Sequence, residues 1–143
     1  LDVYPIVRLC EGIDPGLYRY DPEAHGLRPL AEAGAPTDGL LEHAKVAALM
    51  EARPQVLLVI AARFGRTTWK YEAVPYALTL KHVGVLYQTL YLVATAMGLA
   101  PCGLGGGDSE LFSRSAGLEY EAETSVGEFI VGTPAGDPGP VVG

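Results

Sequence analysis

The chain has 143 residues, which is enough for one domain with a sizeable hydrophobic core. Its formal net charge of -7 at pH 7 argues against nucleic acid or an anionic membrane surface as the main partner. Its two cysteines, Cys10 and Cys102, lie far apart without the spacing of a metal site, so we expect no bound metal and a reducing, cytoplasmic environment.

The N-terminal part has the composition of short strands separated by turns. Residues 3–13 (VYPIVRLCEGI) are rich in β-branched and aromatic side chains, which predicts a strand. Asp-Pro-Gly at 14–16 and Asp-Pro at 21–22 are typical turn sequences, and they bound a second short strand at 17–21. A segment at 26–30 is expected to pair back, so that the region forms a small antiparallel ribbon.

A helix and a buried strand are predicted next. Thr37 or Asp38 can cap a helix over residues 40–52, which Pro54 ends. Residues 55–63 (QVLLVIAAR) then form a continuous apolar run of strand length. Such a run is typical of a central strand that is covered on both faces.

Residues 78–99 (LTLKHVGVLYQTLYLVATAMGL) predict the longest helix, which runs into a glycine-rich segment at 102–108 (CGLGGGD). Apolar side chains fall on nearly every side of the helical wheel, so we expect a helix that is buried all round and ends in a tight turn. Its length of about 33 Å would also cross a bilayer. We favour protein packing because a small and polar stripe along the helix would have no partner in lipid. The stripe consists of Gly84, Gln88, Tyr91, Thr95 and Gly98.

The remaining sequence predicts one short helix and one strand. Asp108 or Ser109 can cap a helix at 110–116, and Gly117 can end it. Residues 125–131 (SVGEFIV) are predicted as the last strand.

Together these segments predict an α+β fold in which helices cover a mostly antiparallel sheet, with the long buried helix at the centre. We expect the domain to occupy residues 1–132. The Pro- and Gly-rich tail at 133–143 is not expected to pack.

One segment is distinguished by its chemistry. Residues 66–71 (RTTWKY) place a Trp, a Lys and a Tyr together between core elements, which makes Lys70 and Tyr71 candidates for reactivity. Considered alone, Lys70 is typical of a solvated surface lysine, and His82 is typical of a hydrogen-bonded core histidine. The glycine-rich segment, considered alone, is typical of a helix C-cap followed by a tight turn.

Two longer stretches resemble a known enzyme family. The run WKYEAVPYALTLKHVGVLYQTLYLVATAMGLAPCGLGGGDSELF, closed by TSVGEFIVG, is similar to the C-terminal half of the flavin-dependent azoline dehydrogenases of the nitroreductase superfamily. These include the thiazoline oxidases of cyanobactin and thiopeptide biosynthesis. The segment VYPIVRLCEGIDPGLYRYDPEAHGL resembles the strand and ribbon that come earlier in the same domain. The resemblance covers nearly the whole chain and implies a nitroreductase-like fold.

The resemblance implies FMN chemistry on a modified precursor peptide. Such enzymes remove two hydrogens from a thiazoline or oxazoline ring to give a thiazole or oxazole, pass a hydride to flavin N5 and return the electrons to oxygen. The family's Lys-Tyr pair falls on Lys70 and Tyr71. This match implies that Lys70 is the base for the ring proton and that Tyr71 donates or relays a proton.

The same resemblance suggests the residues that bind the cofactor. Leu104, Gly105 and Gly106 correspond to the backbone that lies against the isoalloxazine ring, with an N–H that can reach its N5 edge. Gln88 and His82 are expected to face either the flavin or a dimer partner. Family members are dimers with the flavin at the interface, so the resemblance implies a dimer here.

One part of the family pattern is missing. The family binds the FMN phosphate with arginines in an Arg-x-Ser-x-Arg type segment near the start of the domain, whereas this chain begins inside the first strand. We therefore expect a second chain to supply the FMN phosphate site, with this chain being a fragment, a processed product or one subunit of a split enzyme. Two further hypotheses stay open. The chain could be another flavin reductase of the nitroreductase type, or a non-catalytic partner subunit of a peptide-modifying complex.

Overall fold

The computed structural model describes residues 1–63 and 73–136. Lys70 and Tyr71, together with residues 137–143 of the predicted tail, lie outside these ranges. Within them the chain forms a sheet and three helices. Their bounds are β1 (Asp2–Val7), β2 (Gly16–Asp21), β3 (Gly26–Glu32), α1 (Ala35–Ala47), β4 (Val56–Arg63), α2 (Ala73–Ala96), β5 (Ala100–Leu104), α3 (Ser109–Ala116) and β6 (Glu123–Gly132).

The six strands form one sheet in the order β3-β2-β1-β4-β6-β5, and every neighbouring pair is antiparallel. The strand predicted from the apolar run, β4, lies between β1 and β6 near the middle of the sheet. Its residues Val59, Ile60 and Ala61 are fully buried although their side chains alternate between the two faces. The predicted α+β class with a mostly antiparallel sheet is therefore confirmed.

Helices cover the two faces of this sheet unequally. Along β6, Ile130 belongs to the core that α1 and α3 close, whereas the next side chain, Phe129, packs against α2. In the first core the rings of Tyr4 and Phe112 meet edge to face with centroids 5.1 Å apart. Helices α1 and α3 thus cover one face of the sheet, and α2 covers the other.

The first strand is shorter than predicted. The sequence suggested a strand over residues 3–13, but β1 ends at Val7. The N–H groups of Arg8 and Leu9 both donate to the carbonyl of Gln55, at 2.9 and 3.1 Å, so the regular ladder stops there. The ribbon of β2 and β3 forms as predicted, with Arg19 opposite Arg28.

Helix α1 begins five residues before the predicted start. Gly34 is the N-cap, and Thr37 works from inside the first turn, where its hydroxyl accepts from the Gly34 N–H at 2.9 Å. The predicted start was wrong because both candidate caps, Thr37 and Asp38, lie inside the helix. The helix also ends well before Pro54, since Leu49 takes a left-handed conformation with φ of 55°.

Helix α2 is not buried all round, so that prediction was wrong. Among its described side chains Val83 and Ala94 are buried, whereas Leu78, Val85 and Leu92 are 48%, 68% and 63% exposed. The three exposed residues recur every seven positions, so they share one outer face. Composition alone does not distinguish an apolar helix face that packs in the core from one that is exposed for contact with a partner, and the prediction was therefore wrong. No helix in the described ranges combines the length and apolarity that a membrane crossing needs.

The C-terminal elements follow the sequence closely, with one addition. Helix α3 has Asp108 as its N-cap, and Gly117 ends it in a left-handed conformation, as predicted. Residues 102–104, which were expected to be part of a turn, instead belong to strand β5. This strand forms through its pairing with β6, in which Cys102 lies opposite Ile130.

Candidate functional site

Three consecutive glycines at residues 105–107, here called the glycine loop, follow the end of β5. Leu104 just before them is buried. A Cβ atom built at Gly105 or Gly106 would meet no atom within 4 Å, so the space beside both backbone units is open. A ligand can therefore approach the main chain at these two positions without meeting a side chain.

Gly107 is constrained in the opposite way. A Cβ atom there would overlap the carboxyl group of Glu128, which reaches over from β6. Glu128 is also the residue that pairs with Leu104 in the ladder between β5 and β6. The loop therefore passes directly over the Glu128 side chain, and a side chain at residue 107 would have to displace either the carboxyl group or the loop.

Two tyrosines of α2 contact the end of β5 and the part of β6 that pairs with it. The Tyr87 hydroxyl donates to the carbonyl of Glu128 at 2.8 Å and lies 3.4 Å from the carbonyl of Leu104. The Tyr91 hydroxyl accepts from the Gly103 N–H at 2.7 Å. Burial raises the pKa of Tyr87 to about 12, so its hydroxyl stays a neutral donor at physiological pH.

The carboxyl group of Glu128 sits in a poorly solvated position. Burial raises its pKa, and a hydrogen bond from the Ser125 hydroxyl opposes this shift. The carboxyl faces a cavity of about 10 Å³, room for roughly one water molecule, between α1 and the glycine loop. His43 and Asp108 line the same cavity, with His43 Nε2 lying 3.8 Å from an Asp108 carboxylate oxygen.

The end of β4 is fixed by a buried polar cluster. The Tyr4 hydroxyl donates to Glu123 at 2.5 Å, and Arg63 Nε donates to the other Glu123 oxygen at 2.9 Å. Burial raises the pKa of Tyr4, so this hydroxyl remains a donor. Because Arg63 is the last residue of β4, the cluster anchors the chain at the point where it leaves for residues 66–71.

The structure brings some of the predicted site residues together. Leu104, Gly105 and Gly106 form the end of β5 and the open part of the glycine loop. Gln88 and His82 are both exposed on α2, but six residues of helix put them on faces about 120° apart. They therefore do not face one ligand from the same side of the helix, and His82 is not a core histidine.

Sequence reasoning missed the roles of Tyr87 and Glu128. One signal for Glu128 was available, because it is the one charged residue in the stretch 126–132 (VGEFIVG). Tyr87 carried no such signal, since a tyrosine on an apolar helix is usually core packing.

The arginines of the described ranges already have partners. Arg8 donates to the carbonyl of Pro54, and the others contact carboxylates. These ion pairs are Arg19 with Asp2, Arg28 with Asp21, Arg53 with Asp38 and Glu42, Arg63 with Asp2 and Glu123, and Arg114 with Glu110. Among the described residues there is also no group of three or more His, Cys, Asp or Glu that could hold a metal ion.

The chain is similar to proteins of one family. The model of the nitroreductase family matches residues 13–133. An inferred nitroreductase of Methanocaldococcus jannaschii is 30% identical over 105 residues, which are 73% of this chain and 52% of that protein. The chain therefore spans about half the length of this curated relative.

Solved structures share the fold. A chain of the E. coli microcin synthetase McbBCD complex, solved with truncated pro-MccB17 bound, matches with a TM-score of 0.75 at 23% identity over 95% of this chain and 52% of that one. An inferred nitroreductase of Anabaena variabilis matches with a TM-score of 0.76 at 24% identity over 91% of this chain and 26% of that one. These likenesses confirm the nitroreductase-like fold.

Proposed function

Because the chain belongs to the nitroreductase family of oxidoreductases, we propose that it takes part in the FMN-dependent oxidation of thiazoline or oxazoline rings in a modified precursor peptide. The observation that carries the proposal is the open backbone at Gly105 and Gly106, which leaves room for a flat ring. The likeness to the microcin synthetase complex favours a peptide substrate, since that complex holds truncated pro-MccB17.

The residues at the end of β5 fit a flavin. Proteins of the nitroreductase family typically use one. When bound, FMN supplies the two-electron redox chemistry. Leu104 anchors the start of the glycine loop with its buried side chain, and Gly105 and Gly106 offer bare main chain with N–H donors. These three residues orient the ring in our proposal.

The proton chemistry belongs to Lys70 and Tyr71 in this proposal. Oxidation of the azoline ring removes a hydride and a proton, so a base must stand near the ring carbon. Lys70 accepts this proton, and Tyr71 donates or relays one. The support is the match to the family's Lys-Tyr pair, together with the anchoring of Arg63 by Glu123 at the end of the preceding strand.

The proposal includes partner chains. The exposed face of Leu78, Val85 and Leu92 suits a dimer formed with a second copy of α2. In this proposal a second chain supplies the cations that bind the FMN phosphate. A reducing cytoplasmic setting is also part of the proposal, because Cys10 and Cys102 are both unpaired.

The test uses the full assembly with an azoline-containing peptide. Wild type should remove two hydrogens per ring, as measured by intact mass, and consume oxygen. Lys70→Ala and Tyr71→Phe should each lower the oxidation rate at least about a hundredfold while flavin absorbance is retained, since general acid–base groups contribute about this much. Normal turnover in either variant would contradict the assigned roles.

A second function has support from the relative in Methanocaldococcus jannaschii. The chain could be a flavin reductase that acts on nitro or enone compounds. NAD(P)H consumption without any peptide would favour that activity over oxygen-dependent peptide oxidation. A colourless assembly that still binds peptide would contradict both enzymes and favour a non-catalytic partner subunit.

A further inference from the structure

Glu128 is held at both its main chain and its side chain. The Tyr87 hydroxyl donates to its carbonyl oxygen at 2.8 Å, and the Ser125 hydroxyl donates to its carboxyl group. Both partners lie within the described structure and neither belongs to the glycine loop. The carboxyl group therefore has a fixed position that does not depend on the loop.

The glycine loop passes over the carboxyl group of Glu128 and contacts it at Gly107. At Gly107 the carboxyl occupies the place of a side chain, whereas Gly105 and Gly106 meet nothing on their open side. The contact is thus confined to one end of the loop. A change in the size of residue 128 would move Gly107 first, and the backbone at the two preceding glycines would follow.

We propose that Glu128 is a positioning residue for the flavin ring, because its carboxyl group sets the path of the glycine loop through contact with Gly107. This inference rests on the proposed function, since it takes the glycine loop as the surface against which the ring lies. Glu128 does not touch the ring in this account. It fixes the directions of the Gly105 and Gly106 N–H groups.

The proposed role depends on shape and hydrogen bonding rather than on negative charge. Glutamine has the size of glutamate and can accept the same hydrogen bond from Ser125. Alanine leaves the space at Gly107 empty. Glu128→Gln should therefore preserve the loop, whereas Glu128→Ala should release it. An exposed acid on the segment before β6, Glu121, offers a matched control.

The experiment measures the FMN dissociation constant and the visible absorbance band of bound FMN in the full assembly. Gly107→Ala should weaken binding about tenfold or more, because the new methyl group overlaps the Glu128 carboxyl. Glu128→Ala should also weaken binding, and the double variant Gly107→Ala/Glu128→Ala should bind FMN no more weakly than Glu128→Ala alone, since the overlap is then absent. Glu128→Gln and the control Glu121→Ala should stay within about twofold of wild type and keep its absorbance band.

Three results would overturn the inference. They are normal binding by Gly107→Ala, a double variant in which the losses of the two single variants add, and a Glu128→Gln variant as impaired as Glu128→Ala. Thermal unfolding of each variant separates loss of fold from loss of binding. A wild-type assembly without FMN binding would contradict the proposed function as well. Wild-type binding combined with any of the three results would contradict the role of Glu128 alone.

Discussion

The two faces of the sheet are covered in different ways. Under α1 and α3 the large side chains are fully enclosed, with Tyr4 and Phe112 each 1% exposed. On the other face α2 buries Val83 and Ala94 but leaves Leu92 63% exposed on its outer side. The large apolar side chains on the first face are thus enclosed by the chain itself, whereas the helix on the second face leaves apolar side chains exposed. The stability of the chain therefore depends mainly on the enclosed face, whereas the proposed dimer depends on the exposed face of α2.

The largest expected effect lies on the enclosed face. Phe112→Ala should lower the free energy of unfolding by about 3–5 kcal/mol, because it removes a buried ring and leaves a cavity beside Tyr4. Denaturant titration measures this change. Val46→Ala on the exposed side of α1 should stay within about 0.5 kcal/mol of wild type. Similar losses for both variants would mean that this face is not the stabilising core.

The next effect tests the exposed face of α2. Leu92→Glu should weaken self-association at least about tenfold, because a charge would have to be desolvated in the contact. Sedimentation velocity over a range of protein concentrations measures it. Val46→Glu is the matched control, since Val46 is 65% exposed on another helix. If the control weakens association equally, the outer face of α2 is not the contact surface.

The smallest effect concerns Glu128, which lies beneath the glycine loop on the enclosed face. Burial raises its pKa, so over the interval above its ordinary pKa the folded state binds more protons than the unfolded state. The contribution of this group to the free energy of unfolding therefore falls as the pH rises through that interval. Glutamine does not ionise, so the free energy of unfolding of Glu128→Gln should rise relative to that of wild type as the pH increases through this interval. Urea titrations at several pH values measure the difference, and a difference that does not change with pH would contradict the assigned burial.

Much of the fold was predictable because its signals are local. A few adjacent residues are enough to predict each of three features: the turns around β2 and β3, the apolar run of β4 and the caps of α3. Strand β5 carries no pattern of its own and exists through its pairing with β6. The early start of α1 was missed because Thr37 can serve either as a cap or inside the first turn, and both uses satisfy hydrogen bonds.

The site was predictable in part for a similar reason. Leu104, Gly105 and Gly106 are contiguous, so any structure that keeps them in one turn keeps them together. The contact between Gly107 and Glu128 joins residues 21 positions apart, and the bond from Tyr87 to Glu128 joins residues 41 apart. Such pairs depend on the packing of α2 and β6, which no short motif reports. The roles of Lys70 and Tyr71 remain predictions, and so do the flavin-binding roles of the other site residues, which are Leu104, Gly105, Gly106, Gln88 and His82.

The strand order also affects how the chain resists aggregation. The sheet ends at β3 on one side and at β5 on the other, and each edge strand contains a proline, Pro29 and Pro101. A proline has no N–H to offer an incoming strand, and Arg28 adds a charge beside the first. Open-ended growth by adding strands is therefore disfavoured at both edges. The dimer proposed above uses the outer face of α2 instead, which leaves both edges of the sheet out of the contact.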